Sequence, residues 1–333
     1  MSGIEHVNKK LQIKSFSRIH ITLIGMNDDG YRINGGVGFS ISNPSLNCTF
    51  QESANFEIFD DRILKFSELE KSRLVFILSE VKYNYNILKS ISCNIIGDVL
   101  PHYGLGSNTI IYLSCIEALL IVNDISYDYT LIVALSKRGG TSGIGINTYF
   151  DGGFVFDLGI KNNLQHLCPS SIADRKGSLP LLIKKCESPK WPIGVCIPKY
   201  ISNKSEQEEI DFFKSNCPID KVYIERILYE VLFGVTSAVI EVDYIAFCES
   251  VNAIQISQWK LLERSIYGSE LFKLEKAIKS FGADCVGMTS LGPTLFFLGE
   301  NIERINKNIS LEFPETICYV SSFNNHGREI CYD

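Results

Sequence analysis

The sequence predicts an α+β fold in two halves, and three observations carry that expectation. Residues 11–24 alternate polar and apolar side chains, the period of a half-buried strand. Residues 107–122 repeat apolar positions at helical spacing behind a Ser-Asn start. Elsewhere strands and helices follow one another irregularly, which argues against a regularly alternating βαβ chain. At 333 residues the chain has room for two domains, taking roughly 150 residues for each.

In chain order, the first strand ends at the turn signal Asn27-Asp28-Asp29-Gly30, and a second at 38–41 is expected to stop at Asn43-Pro44. Residues 55–66 read as a hairpin turning near Asp60-Asp61. Residues 68–88 read as a helix with Leu74, Ile77, Leu78 and Val81 on one side, and 90–96 as a strand running into a loop at 97–108. Helix 107–122 and an α-rich 130–135 lead into 137–159, KRGGTSGIGINTYFDGGFVFDLG. Seven glycines there (139, 140, 143, 145, 152, 153 and 159) are spaced too closely to favour an ordinary amphipathic helix, so a loop is expected, with a strand at 153–157. The polar, proline-containing 164–189 marks the expected boundary between domains 1–165 and 166–333. Beyond it come a strand at 193–197 and helices at 221–240, 254–262 and 269–281. Strand–turn–strand units around 294–298 and 317–321 close the chain.

Composition excludes several function classes. A net charge of −6 without any Lys/Arg block lacks the electrostatic footprint of a nucleic-acid binder. Eleven cysteines show no CxxC pair and no zinc spacing; Cys93, Cys115 and Cys248 lie in apolar surroundings and read as small core residues of a reducing compartment. The N-terminus is too polar for a signal peptide, and apolar runs such as 110–122 fall short of a membrane span. The expectation is a cytoplasmic protein acting on small molecules, with no nucleic-acid or membrane partner.

Chemistry concentrates in four glycine-bearing segments. In RGGTSGIG (138–145), successive N–H groups can form a nest for phosphate, edged by Arg138 and the hydroxyls of Thr141 and Ser142. A structural turn is the alternative. In PHYGLGSN (101–108), Gly104 and Gly106 let the backbone curl at the positive end of helix 107–122, and Ser107 can cap the helix or bond phosphate. It is not a Walker A loop. On the first strand Arg18 and His20 share a face, followed by Arg32 and Gly35-Gly36-Val37-Gly38; that face meets either ligand or solvent. The fourth, GMTSLGPT (287–294), is a turn ahead of a buried strand. Asp157, at the end of a strand, reads equally as a ligand contact or as a turn cap, and the ordinary pKa of His20 suits proton transfer near neutrality.

Taken together, these segments resemble the GHMP small-molecule kinase superfamily, whose PxxxGLGSS loop is similar to 101–108 and whose C-terminal glycine motif is similar to GMTSLGPTLFFL. Within it the closer resemblance is to the β-ribofuranosylaminobenzene 5′-phosphate synthase family. SRIHITL (17–23) with Gly35–Gly38, the partial GLGSGTQ match at 104–110 and the block 138–159 carry that resemblance. So does LFGVTSAVIEVDYIAFCESVNAIQ at 232–255. It spans about 15–327, and 138–159 is its specific piece.

The resemblance implies an N-terminal ribosomal-protein-like α/β domain and a C-terminal ferredoxin-like α/β domain, a homodimer, and Mg²⁺. It implies a decarboxylating transfer of ribose from 5-phosphoribosyl 1-diphosphate to a ring carbon of p-aminobenzoate or a related carboxylated (hetero)aromatic, as in methanopterin or C-nucleoside biosynthesis. By the same resemblance, phosphate and diphosphate fall to Gly104, Leu105, Gly106, Ser107, Asn108, Arg138, Gly139, Gly140, Thr141, Ser142 and Gly143. Arg18, His20 and Asp157 would be catalytic, and Arg32, Thr289 and Ser290 would approach the acceptor. Metal ligands are unassigned. Three departures stand out: Asn108-Thr109-Ile110 replaces Gly-Thr-Gln, Met288–Pro293 replaces QSSWGP, and Asn34 replaces Asp. The donor side is thus better preserved than the acceptor side. An ATP-dependent GHMP kinase using Asp157 or Asp151 is the competing reading, and a binding homologue without turnover is a third.

Overall fold

The longest alternating segment becomes the longest ladder. In a computed structural model describing residues 10–162, 167–170, 172 and 179–332, β1 (Leu11–Gly25) pairs antiparallel along nearly its whole length with β2 (Arg32–Ser53). β2 does not stop at Asn43-Pro44. Residues 42–44 loop out where the register shifts between Phe16 and Ser17, and the ladder resumes at Ser45. A bulge demands no ladder N–H from the proline. The Ser42 hydroxyl instead meets Ser322 Oγ at 3.0 Å, and the Asn43 N–H donates to Ser321 Oγ at 2.9 Å.

The expected hairpin at 55–66 is absent, because β3 (Glu57–Asp60) leads through α1 (Glu68–Asn84) to β4 (Ser90–Gly97) and pairs with it in parallel. Asp60 turns the chain: its carboxylate accepts from Arg62 Nε at 2.9 Å and Nη2 at 2.7 Å, and from the N–H groups of Arg62 and Phe66. Both charged side chains are fully buried. α2 (Ser107–Val122) forms as expected and is buried around nearly its whole circumference, the mark of a central helix. Its buried Glu117 accepts from the Tyr149 hydroxyl at 2.7 Å and from Arg328 Nε at 3.0 Å.

After α3 (Tyr129–Ser136), the glycine-rich stretch does contain a helix, α4 (Ile144–Asp151). The glycines flank it: Gly143 precedes its first residue and Gly152 follows its last. The interior Gly145 lets it lie against α2, where a Cβ would come within 3.3 Å of Thr109 Cγ2. β5 (Phe154–Asp157) and β6 (Ile160–Lys161) pair with β2, and β7 (Leu182–Cys186) pairs with β5. Residues 1–9 and most of 163–178 lie outside the described residues. The N-terminal reading and much of the expected domain boundary therefore do too.

The remainder begins with β8 (Pro192–Pro198), followed by α5 (Glu206–Asn216) and α6 (Lys221–Tyr229). A π-helical segment, Glu230–Thr236, leads to α7 (Ser237–Glu241) and α8 (Tyr244–Gln255). The helix expected at 254–262 is split: α9 (Gln258–Ser265) starts afresh after Ser257, whose extended backbone breaks the run. Then come α10 (Gly268–Ser280), β9 (Ala283–Met288), β10 (Leu295–Gly299), α11 (Ile302–Glu312), β11 (Thr316–Ser322) and β12 (Glu329–Tyr332). The sequence reading lacked α11, started by the Asn301 side chain accepting from the Arg304 N–H, and also β12.

Two sheets result. The larger runs β12-β1-β2-β4-β3 with β5, β6 and β7 attached, and the smaller runs β11-β8-β10-β9. Side chains from both join one apolar core, in which Phe39 of β2 meets Phe323 at 4.3 Å and Phe296 of β10 at 6.0 Å between ring centroids. All eleven cysteines are free, and among the described residues no helix is long and apolar enough to cross a membrane. Asp60→Ala would leave the Arg62 guanidinium buried without its partner, so equilibrium urea unfolding should show a loss of about 3–5 kcal/mol. An unchanged midpoint would contradict that reading of the turn.

Candidate active site: an anion-binding cleft

Two glycine segments far apart in sequence dock backbone to backbone. A Cβ on Gly292 would fall 2.1 Å from the Tyr103 carbonyl carbon, and one on Gly104 would fall 2.2 Å from the Thr289 oxygen, so neither position accepts a side chain. Thr289 fastens the junction: its hydroxyl accepts the His20 N–H and donates to the Gly104 carbonyl, each at 2.9 Å. These loops, β1 and the segment after α3 wall a cleft of about 1250 Å³.

Of the residues singled out from sequence, Arg18, His20, Gly104, Gly106, Ser107, Asn108, Arg138, Gly139, Thr141, Ser142 and Ser290 line this cleft. Leu105, Gly140, Gly143, Asp157, Arg32 and Thr289 do not. Leu105 belongs to the core. Arg32 points the other way, donating from Nε to the Leu158 carbonyl at 3.0 Å and from Nη2 to that of Gly159. Asp157 lies behind the wall, where it accepts from the N–H groups of Gly143 at 2.9 Å and Gly159 at 2.8 Å, and from Ser142 Oγ at 3.2 Å.

Positive charge gathers at one end of the cleft. α2 starts at Gly106, in the left-handed region at φ 87°, with no side-chain cap and no acidic residue in the first turn. Its first N–H groups and its dipole therefore attract negative charge. Arg18 is held by the Gly104 carbonyl. Arg138 reaches Thr109 Oγ1 with Nε and Nη2 at 3.3 Å and lies over the Tyr112 ring at 5.6 Å. Neither guanidinium forms an ion pair among the described residues. Burial, and then the neighbouring Arg138 charge, push Arg18 down to about 10, and burial also lowers Arg138. Two cations thus share one pocket with no salt bridge to either among the described residues, while Glu206 and Glu209 act on Arg138 from a distance.

His20 differs from its expectation. Burial first, then Arg18 and Lys260, hold its pKa well below the usual imidazole value, so the ring is neutral near neutrality. Its Nε2 lies 3.2 Å from Ser142 Oγ. Burial pushes Asp157 up to about 7, against the N–H and hydroxyl donors that favour its charge.

The opposite wall was not foreseen. There His102 Nε2 meets Glu70 at 2.6 Å, and Glu206 and Glu209 of α5 face the cleft. Burial pushes Glu209 up to about 7. Beneath the 287–294 segment, buried Lys260 donates to Glu263 at 2.5 Å and to the Met288 carbonyl at 2.9 Å. The Ser67/Glu70 and Ser205/Glu208 capping boxes were readable as helix starts. No local pattern signals contacts that join distant segments.

No protein-family model matches the chain. It is 29% identical over 325 residues to the beta-ribofuranosylphenol 5'-phosphate synthase of Archaeoglobus fulgidus, covering 96% of this chain and 99% of that protein. The protein of the same name from Methanocaldococcus jannaschii is 29% identical over 337 residues, with 96% and 99% covered. That from Methanothermobacter thermautotrophicus is 29% identical over 299 residues, with 86% and 88% covered. Among solved structures, homoserine kinase from Cytophaga hutchinsonii shares the fold at a TM-score of 0.69 and 14% identity over 99% of this chain and 100% of that one. Mevalonate diphosphate decarboxylase from Staphylococcus aureus does so at 0.67 and 14%, with the same coverage. The expected GHMP-kinase-like α+β fold is therefore present.

Removing one charge from the pocket should weaken anion binding. Arg138→Gln is expected to cut diphosphate affinity by about 10- to 100-fold in calorimetry, the size of a lost charged hydrogen bond. The Tm without ligand should stay level or rise, because a half-buried cation without a salt bridge is gone. A lower unliganded Tm with unchanged diphosphate binding would contradict this reading of the site.

Proposed function

We propose that this chain, a relative of the ribofuranosylphenol phosphate synthases on a GHMP-kinase-like fold, is a decarboxylating phosphoribosyltransferase. It would form a C-riboside from 5-phosphoribosyl 1-diphosphate and a carboxylated aromatic. The observation that carries the reading is the convergence of Arg18 and Arg138, both half-buried and without a salt bridge among the described residues, on the uncapped start of α2. That arrangement, in a chain with such full-length relatives, suits a diphosphate leaving group.

The bond changes balance without oxidant or reductant. The anomeric C–O bond breaks and its electron pair leaves with diphosphate, whose growing charge Arg18, Arg138 and the α2 N–H groups stabilise. The ring carbon bearing the carboxylate attacks the anomeric carbon. Loss of CO₂ then returns the bonding pair to the ring and restores aromaticity. Holding the two reactants together in the cleft is a large part of the catalysis. Because the relatives' name specifies a phenol riboside, we take a hydroxybenzoate as the first acceptor to test, with p-aminobenzoate beside it.

Mg²⁺ fits this site only as a companion of the substrate. Among the described residues no group of three His, Cys, Asp or Glu could hold a metal ion. Diphosphate would supply most ligands, as is common for this cation, and the Ser107 hydroxyl at the start of α2 would join it. When bound, it would neutralise charge on the leaving group. A cytoplasmic homodimer belongs to the same proposal.

The kinase reading casts Asp157 or Asp151 as its base or metal ligand, and neither lines the cleft. Asp157 is enclosed by three donors behind the wall, and Asp151 pairs with Lys185 at 2.6 Å away from it. The decisive assay incubates the protein with phosphoribosyl diphosphate, Mg²⁺ and a panel of hydroxy- and aminobenzoates. Equimolar CO₂ and diphosphate are expected, together with a Tm raised by the donor more than by ATP. Stabilisation by ATP alone, with no CO₂ from any acceptor, would overturn the reading.

A further inference from the structure

Three side chains run in a hydrogen-bonded file from the cleft into the wall. His20 lines the cleft; its Nε2 is 3.2 Å from Ser142 Oγ, which is 3.2 Å from Asp157 Oδ2. We propose that His20, Ser142 and Asp157 form a proton relay that takes the hydroxyl proton of the aromatic acceptor and stores it on Asp157. The proposal rests on the C-riboside reading above and names the base for that reaction.

Counting donors along the file leaves two consistent arrangements. With Asp157 ionised, the one proton of Ser142 Oγ points at Oδ2. Ser142 then accepts from the Ile144 N–H at 3.2 Å and from His20 Nε2–H. Nδ1 is left with a lone pair; the ring's contact with the backbone of His20 itself favours the other arrangement, in which Nδ1 is protonated. With Asp157 protonated, each bond reverses: Oδ2–H donates to Ser142, Ser142 donates to Nε2, and Nδ1 carries the proton. Passing from the first arrangement to the second converts acceptor hydroxyl plus carboxylate into phenolate plus carboxylic acid. The imidazole is neutral in both.

Neutrality is the reason for the file. Arg18 and Lys260 face His20, and with burial they oppose a positive ring, so His20 alone is a poor base. Asp157 can hold the proton instead. Its surroundings are the Gly143 and Gly159 N–H groups, with Arg32 as the nearby cation, and burial sets its pKa at about 7. The phenolate so formed pushes electron density into the ring that must attack the anomeric carbon. Ser142, expected from sequence to bind phosphate, has its hydroxyl proton committed to this file. His20 is the catalytic residue of the three; Ser142 and Asp157 act through it.

Nitrogen-15 NMR of histidine-labelled protein reads the relay without turnover. The proton on His20 should move from Nδ1 to Nε2 as pH rises through Asp157's titration, between about pH 6 and 8, with the ring neutral throughout. Ser142→Ala and Asp157→Asn should abolish that exchange. A single fixed tautomer in the wild-type protein, or titration to imidazolium over this range, overturns the proposal. Kinetics give the second arm. Ser142→Ala should lower kcat about 100-fold on a hydroxybenzoate. It should do so far less on a fluorinated analogue already ionised at the assay pH, and Ser142→Thr should restore the rate. Equal losses on both acceptors would overturn the relay. Wild-type inactivity on every acceptor would defeat the functional reading instead, and the tautomer measurement would still decide the file.

Discussion

Two half-buried guanidiniums with no salt-bridge partner among the described residues set the terms for this molecule. Arg18 and Arg138 repel each other across the start of α2, and partial burial lowers the pKa of both. Partly desolvated charge without an ion pair is costly, so surrounding structure must hold them there. The Gly104 carbonyl, Thr109 and the Tyr112 ring do so locally. The α2 helix that carries the site is anchored from within by Glu117, Tyr149 and Arg328. Two cations held so close together cost stability, the kind of trade for function that natural proteins make.

The glycines contribute by permitting contact as much as by offering N–H groups. Gly104 and Gly292 bring the helix-start loop onto the β9–β10 connection so closely that no side chain fits between them. That contact brings Ser290 to the same cleft as Arg18. The two sheets meet at the cleft through backbone, and a Thr289 hydroxyl records the junction by bonding to both β1 and the loop.

The parts that were legible in sequence are the ones whose causes are local. The β1 alternation, the full extent of α2 and the glycine turn before it each depend on neighbours within a few residues. Misreadings arose where distant partners decide. The parallel pairing of β3 follows from Asp60 seizing Arg62 and the Phe66 N–H. α4 was hidden because glycine number was weighed where glycine position mattered. Arg32 looked like a ligand contact, yet two backbone carbonyls claim it. The Lys260–Glu263 pair left no local signature, since its importance lies in the Met288 carbonyl that Lys260 holds from 28 positions away.

The Glu117–Arg328 contact joins residues 211 positions apart, and β12 lies along β1, the first strand made. Contacts of such long sequence separation form late and slow the folding of a chain. During synthesis the phosphate loop and α2 emerge early, but the carboxylate inside that helix has no cation until residue 328 arrives. The anion cleft thus cannot mature ahead of the rest of the protein. Its N-terminal half is not a separable module, and exchange of that half between relatives must carry the residues around Arg328 with it.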